Sequence, residues 1–353
     1  MRKTIMPLLI GLVCIAFFSS CFVYIATQGV KLGPIVIKPI SKNLTVKKDL
    51  KILAIGNSFN QDVMAYLPPV LNELLPDYKI TYATLYKGSA KIEEHVSMFH
   101  NNDKYTYYNC WEEDATAWKR YRNKYSLADI LSEKWDIIMF QGTSSDVYSD
   151  KLIQNKLIVP GRQLLRILQN NTKKPFAAMW VQWIGRPQGE KTSTEMTDLI
   201  VSATTEVMNN LGMQDFIPVG IALQSARTVP ALQMLGEGSD MLYRDHVHLQ
   251  AGLPALLAAY TIALKITEWT GNYHVGVYRS HFVPTDKRCI EIGVRAEDPS
   301  IIMMTHGSSV GITPENIRVI QEIATMAVKR PATVTNCDSF FNLDRSQTIK
   351  SRK

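Results

Sequence analysis

From Lys51 onward, short β-rich apolar runs alternate with longer amphipathic stretches, and this alternation constrains the chain more than any other feature. Strands of a parallel sheet are buried on both faces and are joined by helical crossovers, so the pattern predicts a parallel sheet flanked by helices. The expected strands are Lys51 to Ile55, Ile80 to Leu85, Trp135 to Phe140, Phe176 to Trp180 and Phe216 to Ile221. Helices are expected at Asp62 to Leu75, Leu127 to Glu133, Gly161 to Gln169, Thr194 to Asn210 and Leu253 to Trp269. The last of these is apolar on several faces, which marks it as deeply packed. Five strands with intervening helices make a three-layer α/β/α sandwich around a five-stranded parallel sheet. In such open sheets, sites form just beyond the carboxyl ends of the strands.

Composition narrows the function class. The 353 residues are 46% apolar, 20% charged and 9% aromatic, which excludes low-complexity disorder and collagen. Only one long apolar stretch is present, so a multi-pass membrane protein is excluded as well. The net charge of +7 comes from Lys and Arg scattered among acids without interleaved aromatics, which argues against a nucleic-acid partner.

Arg2 and Lys3 precede an apolar run from Ile5 to about Ala26, the layout of an export signal. Residues 1–27 are expected to be a signal peptide or membrane anchor. Phe18-Ser19-Ser20-Cys21 resembles a lipobox, in which Cys21 would be lipidated after cleavage. The uncut run is also long enough to span a bilayer, and free secretion is the third outcome. Residues 28–50, with Pro34, Pro39, Ser41 and several Lys, are the expected tether. A sheet domain over 51–271 and an extension over 272–353 follow. The extension changes to short aromatic and β-branched pieces, a helix near Pro314 to Val328 and a polar basic tail. Of five cysteines, Cys110, Cys289 and Cys337 lie in the body, and none has metal-ligand spacing. A Cys289 to Cys337 disulfide and unpaired thiols both remain open.

Two clusters carry chemistry. Gly56-Asn57-Ser58-Phe59-Asn60 follows the first strand directly, with Ser58 where the next helix begins. A serine there either caps the helix or stands as a nucleophile beside free backbone N–H groups that can stabilise an oxyanion. Tyr243-Arg244-Asp245-His246-Val247-His248 precedes the last helix of the sheet domain. Asp245 and His248 stand three apart, a spacing that lets the carboxylate hold the imidazole in one tautomer and stabilise its protonated form. That is the support a hydroxyl nucleophile needs.

Together these clusters resemble the SGNH (GDSL-like) hydrolases, and more closely a bacterial branch of them catalogued as a domain of unknown function. The likeness runs from Ile52 to about Gly271. It also takes in Leu85-Tyr86-Lys87-Gly88-Ser89, Trp135-Asp136-Ile137-Ile138 leading to Gln141-Gly142, the Trp180 segment, and Ala222-Leu223-Gln224-Ser225-Ala226-Arg227. The resemblance implies a flavodoxin-like three-layer fold, a Ser58 nucleophile, a His248 base and an Asp245 orienter. It also implies an oxyanion hole in which the Ser58 and Gly88 backbone N–H groups take part. A glycine suits that role because a backbone without Cβ lets a substrate oxygen approach. The family's third donor is an Asn in a Gly-x-Asn-Asp stretch, whereas this chain reads Gly142-Thr143-Ser144-Ser145-Asp146. Ser144 therefore stands in the Asn position with one hydroxyl to donate, and Gln141 could supply an amide instead.

The function implied is a serine esterase that cleaves an acyl ester, acetyl on a carbohydrate being preferred, with no cofactor and with the membrane reached through the N-terminal anchor. Trp180, Trp183 and Arg227 follow strand ends and are candidates to line the substrate groove, with core packing or a surface pair as the alternative. Gly185 to Thr192 fails as a phosphate loop, having three residues between glycines where four are needed. Two further readings stay open: an inactive glycan-binding protein on this fold, and a metal site built on Asp245, His246 and His248.

Overall fold

A computed structural model describes residues 49–64, 66–111, 118–185, 189–232, 234, 242–243, 248–250, 252–272 and 313–338. The export segment, most of the tether, Cys21, Asp245, His246 and Cys289 lie outside the described residues.

Seven strands form one mixed sheet in the order β4-β3-β2-β1-β5-β6-β7. β1 is Asp49–Gly56, β2 Lys79–Tyr86, β3 Tyr107–Trp111, β4 Lys119–Arg122, β5 Ile137–Phe140, β6 Ala177–Val181 and β7 Phe216–Ile217. The expected five-stranded, wholly parallel sheet is thus corrected. The run β2-β1-β5-β6-β7 is parallel, and β3 and β4 extend the β2 edge antiparallel. In β1 the consecutive residues Ile52, Leu53, Ala54 and Ile55 are all fully buried, so helices cover both faces.

On one face lie α1 (Ser58–Met64), α2 (Leu67–Leu74), α7 (Val219–Ala226), α8 (Leu253–Trp269) and α9 (Pro314–Lys329). On the other lie α3 (Ile92–Asn101), α4 (Leu127–Leu131), α5 (Val159–Asn171) and α6 (Ser193–Leu211), with a π-helical stretch, Ile153–Ile158, feeding α5. The single helix expected over Asp62 to Leu75 is two. Pro68 and Pro69 cannot donate to a preceding turn, so a helix can begin there but not pass through. The strand expected to reach Ile221 stops at Ile217, because Pro218 ends the ladder and the buried Val219–Ala226 run is helical.

α8 supplies the centre of the larger core, with Leu256, Leu257, Ala259 and Ile262 fully buried. Ile317, Ile320 and Ile323 of α9 join the same hydrophobic cluster. Beyond α9, Ser225 Oγ and Thr228 Oγ1 accept from the N–H groups of Thr335 and Cys337 at 3.0 and 2.8 Å. Part of the expected accessory extension therefore belongs to the core itself. Cys110 and Cys337 are buried and form no disulfide among the described residues, and burial pushes the Cys337 thiol up to about 12. Among the described residues no helix is long and apolar enough to cross a membrane.

Candidate active site

Three neighbouring parallel strands, β2, β1 and β5, end at the same side of the sheet, and buried polar bonds tie their exits together. Asn57, only 3% exposed, is the centre of this arrangement. Its Oδ1 accepts from the Phe59 N–H at 3.1 Å and from Gln141 Nε2 at 2.9 Å, while its Nδ2 donates to the Ala90 carbonyl at 3.1 Å. Two donors on one side and an acceptor on the other fix the orientation of the Asn57 amide. The bond to Phe59 is a helix cap. Capping of α1 thus falls to Asn57, and the half-buried Ser58 hydroxyl is left without a hydrogen bond to any described residue. Gly56 completes the turn, since a Cβ there would come within 2.3 Å of Asn60 Nδ2.

At the β2 exit, the Lys87 N–H donates to the Gly56 carbonyl at 3.1 Å and so continues the β1–β2 ladder into the loops. Gly88 is exposed, and its N–H has no hydrogen-bond partner among the described residues. The left-handed residue of this loop is Ser89 (φ 56°), so Gly88 is not required for the turn itself. A Cβ on Gly88 would meet Tyr86 Oη at 3.2 Å.

The β5 exit carries Gln141 and Ser144. Gln141 is buried with its amide bonded to Asn57, so it braces the exits of the two strands. Ser144, also buried, opens a short 3₁₀ turn, Ser144–Val147. Thr143 Oγ1 donates to Asp146 Oδ2 at 2.6 Å, and Lys91 Nζ reaches Asp146 Oδ1 at 2.7 Å. The Asp146 side chain is 2% exposed against 35% for Lys91, so a nearly dry carboxylate is compensated by a cation from the β2 exit loop.

α1 also receives the histidine. The ring of His248 stands edge-on to that of Phe59, with centroids 6.1 Å apart, and Phe59 stacks flat on Trp183 at 4.5 Å. Asp62 Oδ2 accepts from the Leu249 N–H at 3.0 Å, which anchors the chain just after His248. Tyr243 and Leu249 pair as an antiparallel bridge, so the limbs on either side of Asp245 are held together. The structure thus seats the His248 ring on the residue next to Ser58, although no hydrogen bond joins the two. Catalytic hydrogen bonds are often long in the ligand-free state and tighten when substrate arrives.

Trp180 and Arg227, the two substrate-binding candidates, each engage a neighbouring element. Trp180 is 4% exposed and packs edge-on to Phe140 at 5.7 Å, so it is a core wall. Arg227 Nη1 donates to Ser193 Oγ at 2.7 Å and thereby joins the end of α7 to the start of α6. Sequence reasoning missed the roles of Asn57, Phe59 and Asp62. Asn57 had a readable signal, because Asn is among the best N-cap residues and precedes the serine. Among the described residues no group of three metal-ligating side chains is gathered.

Comparison with known proteins places these residues in context. The family model DUF4886, a domain of unknown function, matches residues 51–286. No curated protein matches the chain. The crystal structure of a DUF4886 family protein from Bacteroides uniformis is similar, with a TM-score of 0.61 and 24% identity, covering 82% of this chain and 98% of that one. Weaker likenesses are a candidate SGNH hydrolase from Slackia heliotrinireducens and an acetyl xylan esterase. The first has a TM-score of 0.39 and 16% identity, covering 62% of this chain and 99% of that one. The second has a TM-score of 0.37 and 15% identity, covering 62% and 98%.

Proposed function

The chain belongs to the DUF4886 family, and from its strand-exit geometry we propose that it is a serine esterase of the SGNH type. The observation that carries this reading is the division of labour at the β1 exit. Asn57 caps the helix, and the Ser58 hydroxyl stands uncommitted beside the residue on which His248 rests. Ser58 Oγ attacks the ester carbonyl while His248 takes its proton, and Asp245 steadies the resulting imidazolium. The developing oxyanion is met by the N–H groups of Ser58 and Gly88, with the Ser144 hydroxyl as third donor. His248 returns the proton to the departing alcohol, and water then cleaves the acyl-enzyme by the same route in reverse. The preferred substrate is an acetyl ester of a carbohydrate. Residues 1–27 would bring the protein to the cell envelope, where lipidated Cys21 would hold it through the tether.

Turnover of p-nitrophenyl acetate tests the assignment. Ser58→Ala and His248→Ala each lower kcat by about 10³-fold or more, and Asp245→Asn by about 10²-fold or more, with thermal unfolding unchanged. Full turnover in Ser58→Ala ends the proposal.

One observation favours a second reading, a glycan-binding protein on the same fold. A hydroxyl stands at Ser144, where the resembled family has an amide donor, and it is buried. Such a protein binds sugar and turns over no ester.

A further inference from the structure

A cavity of about 20 Å³ lies directly behind the β5 exit loop, lined among others by Gly142, Ser144, Leu157, Trp180, Trp183 and Ala203. Its walls join the site on two sides. Gly142 to Ser144 is the loop that bears the third oxyanion donor, and Trp183 is the ring on which Phe59 stacks. We infer that this cavity is the acyl subsite and that Leu157 sets the length of the acyl group it takes. The inference rests on the esterase reading above.

Size and lining both select the ligand. A cavity needs about 10–15 Å³ of such volume to take one water-sized group, so this one accepts a methyl but not an extended chain. Most of the lining is apolar and buried, which suits a hydrocarbon terminus better than a hydroxylated one. The cavity therefore fits the methyl of an acetyl group.

Leu157 is placed there by the π-helical stretch Ile153–Ile158. A π turn holds an extra residue, which rotates the following side chains relative to an α-helix. The Leu157 side chain is brought so close to Gly142 that a Cβ on that glycine would lie 2.6 Å from its Cδ2. Lys156, the preceding residue, is held by Glu93 at 2.8 Å, which fixes the stretch against α3. Leu157 is thus the closing wall, and Ala203 on α6 faces the same space with the smallest side chain that leaves it open.

The test uses the full chain with p-nitrophenyl acetate, butyrate and hexanoate, and compares wild type with Leu157→Ala and Ala203→Val. Wild type prefers acetate over hexanoate in kcat/KM by about 10-fold or more, on the scale at which pockets discriminate single methylenes. Leu157→Ala brings that ratio to within about 3-fold by accepting the longer chains. Ala203→Val lowers acetate turnover by about 10-fold while leaving the melting temperature near that of wild type. An unchanged acetate-to-hexanoate ratio in folded Leu157→Ala overturns the inference. If Leu157→Ala does not fold, Ala203→Val decides, and full acetate turnover in that variant overturns it. Absence of turnover on all three esters in wild type strikes instead at the esterase reading on which the inference stands.

Discussion

Asn57 Oδ1 accepts a hydrogen bond from Gln141 Nε2 at 2.9 Å, which joins the exits of two adjacent parallel strands inside the protein. β1 and β5 stay in register up to Ile55 opposite Phe140, and the amides of Asn57, two residues on, and Gln141, one residue on, meet just beyond the ladder. The bond carries strand-level rigidity one step further, to the residue that precedes Ser58.

Asn57→Ala removes three buried hydrogen bonds and leaves the Phe59 N–H and the Gln141 amide without their acceptor. Each stranded buried polar group costs roughly 1–3 kcal/mol, so a stability loss of about 2–4 kcal/mol is expected in urea unfolding. Turnover falls by about 10-fold or more beyond that loss, because Ser58 loses its fixed position.

Lys91→Met strands the Asp146 carboxylate, whose side chain is 2% exposed. Lys91 keeps a third of its surface in water, so the expected cost is at the modest end for a broken pair, about 1–3 kcal/mol. Adding Asp146→Asn removes the stranded charge while preserving an acceptor for Thr143 Oγ1. The double variant is therefore more stable than Lys91→Met alone, as a double-mutant cycle by chemical denaturation reads directly.

His95 gives the fold an acid limit. Its ring is buried, shares a 2.9 Å hydrogen bond with Tyr105 Oη, and is pushed down by desolvation to about 4 from an ordinary value of 6.5. The unfolded chain binds the proton more readily, so stability is full above about pH 6.5 and is lost as the pH falls toward 4. The full span corresponds to about 3 kcal/mol. His95→Gln flattens that part of the stability profile, measured by urea midpoints between pH 7 and pH 4.

Gly220→Ala is expected to damage the site from a distance. A Cβ at Gly220 would lie 2.4 Å from the carbonyl oxygen of Trp183, which is backbone and cannot swing aside. Overpacking of this kind costs about 1–3 kcal/mol, and the displaced Trp183 shifts Phe59 and with it His248. Differential scanning calorimetry and ester turnover should both register the change.

The parallel strands were legible because central strands must be apolar on both faces, and the runs beginning at Lys51 and Ile80 fall wholly within β1 and β2. β3 and β4 were not: Lys119–Arg122 is charged, as an edge strand is, and the Tyr107–Trp111 run is short, with Asn109 breaking its apolar sequence. Val219–Ala226 is buried all round, and its opening run Val219–Leu223 has no polar residue to give a period by which a helix can be told from a strand. At the site, chain order placed Ser58 and Gly88 at strand exits. It could not say that Trp180 packs edge-on to Phe140 or that Arg227 donates to Ser193, since both depend on what packs opposite.

The most direct test of the central claim is covalent labelling of the folded protein with a fluorophosphonate, read by peptide mass mapping. Only a hydroxyl whose proton is drawn off by a nearby base reacts at a useful rate. The account expects a single adduct on Ser58, lost in Ser58→Ala and strongly reduced in His248→Ala. A folded wild-type protein that takes no label, or one labelled equally well after Ser58→Ala, contradicts it.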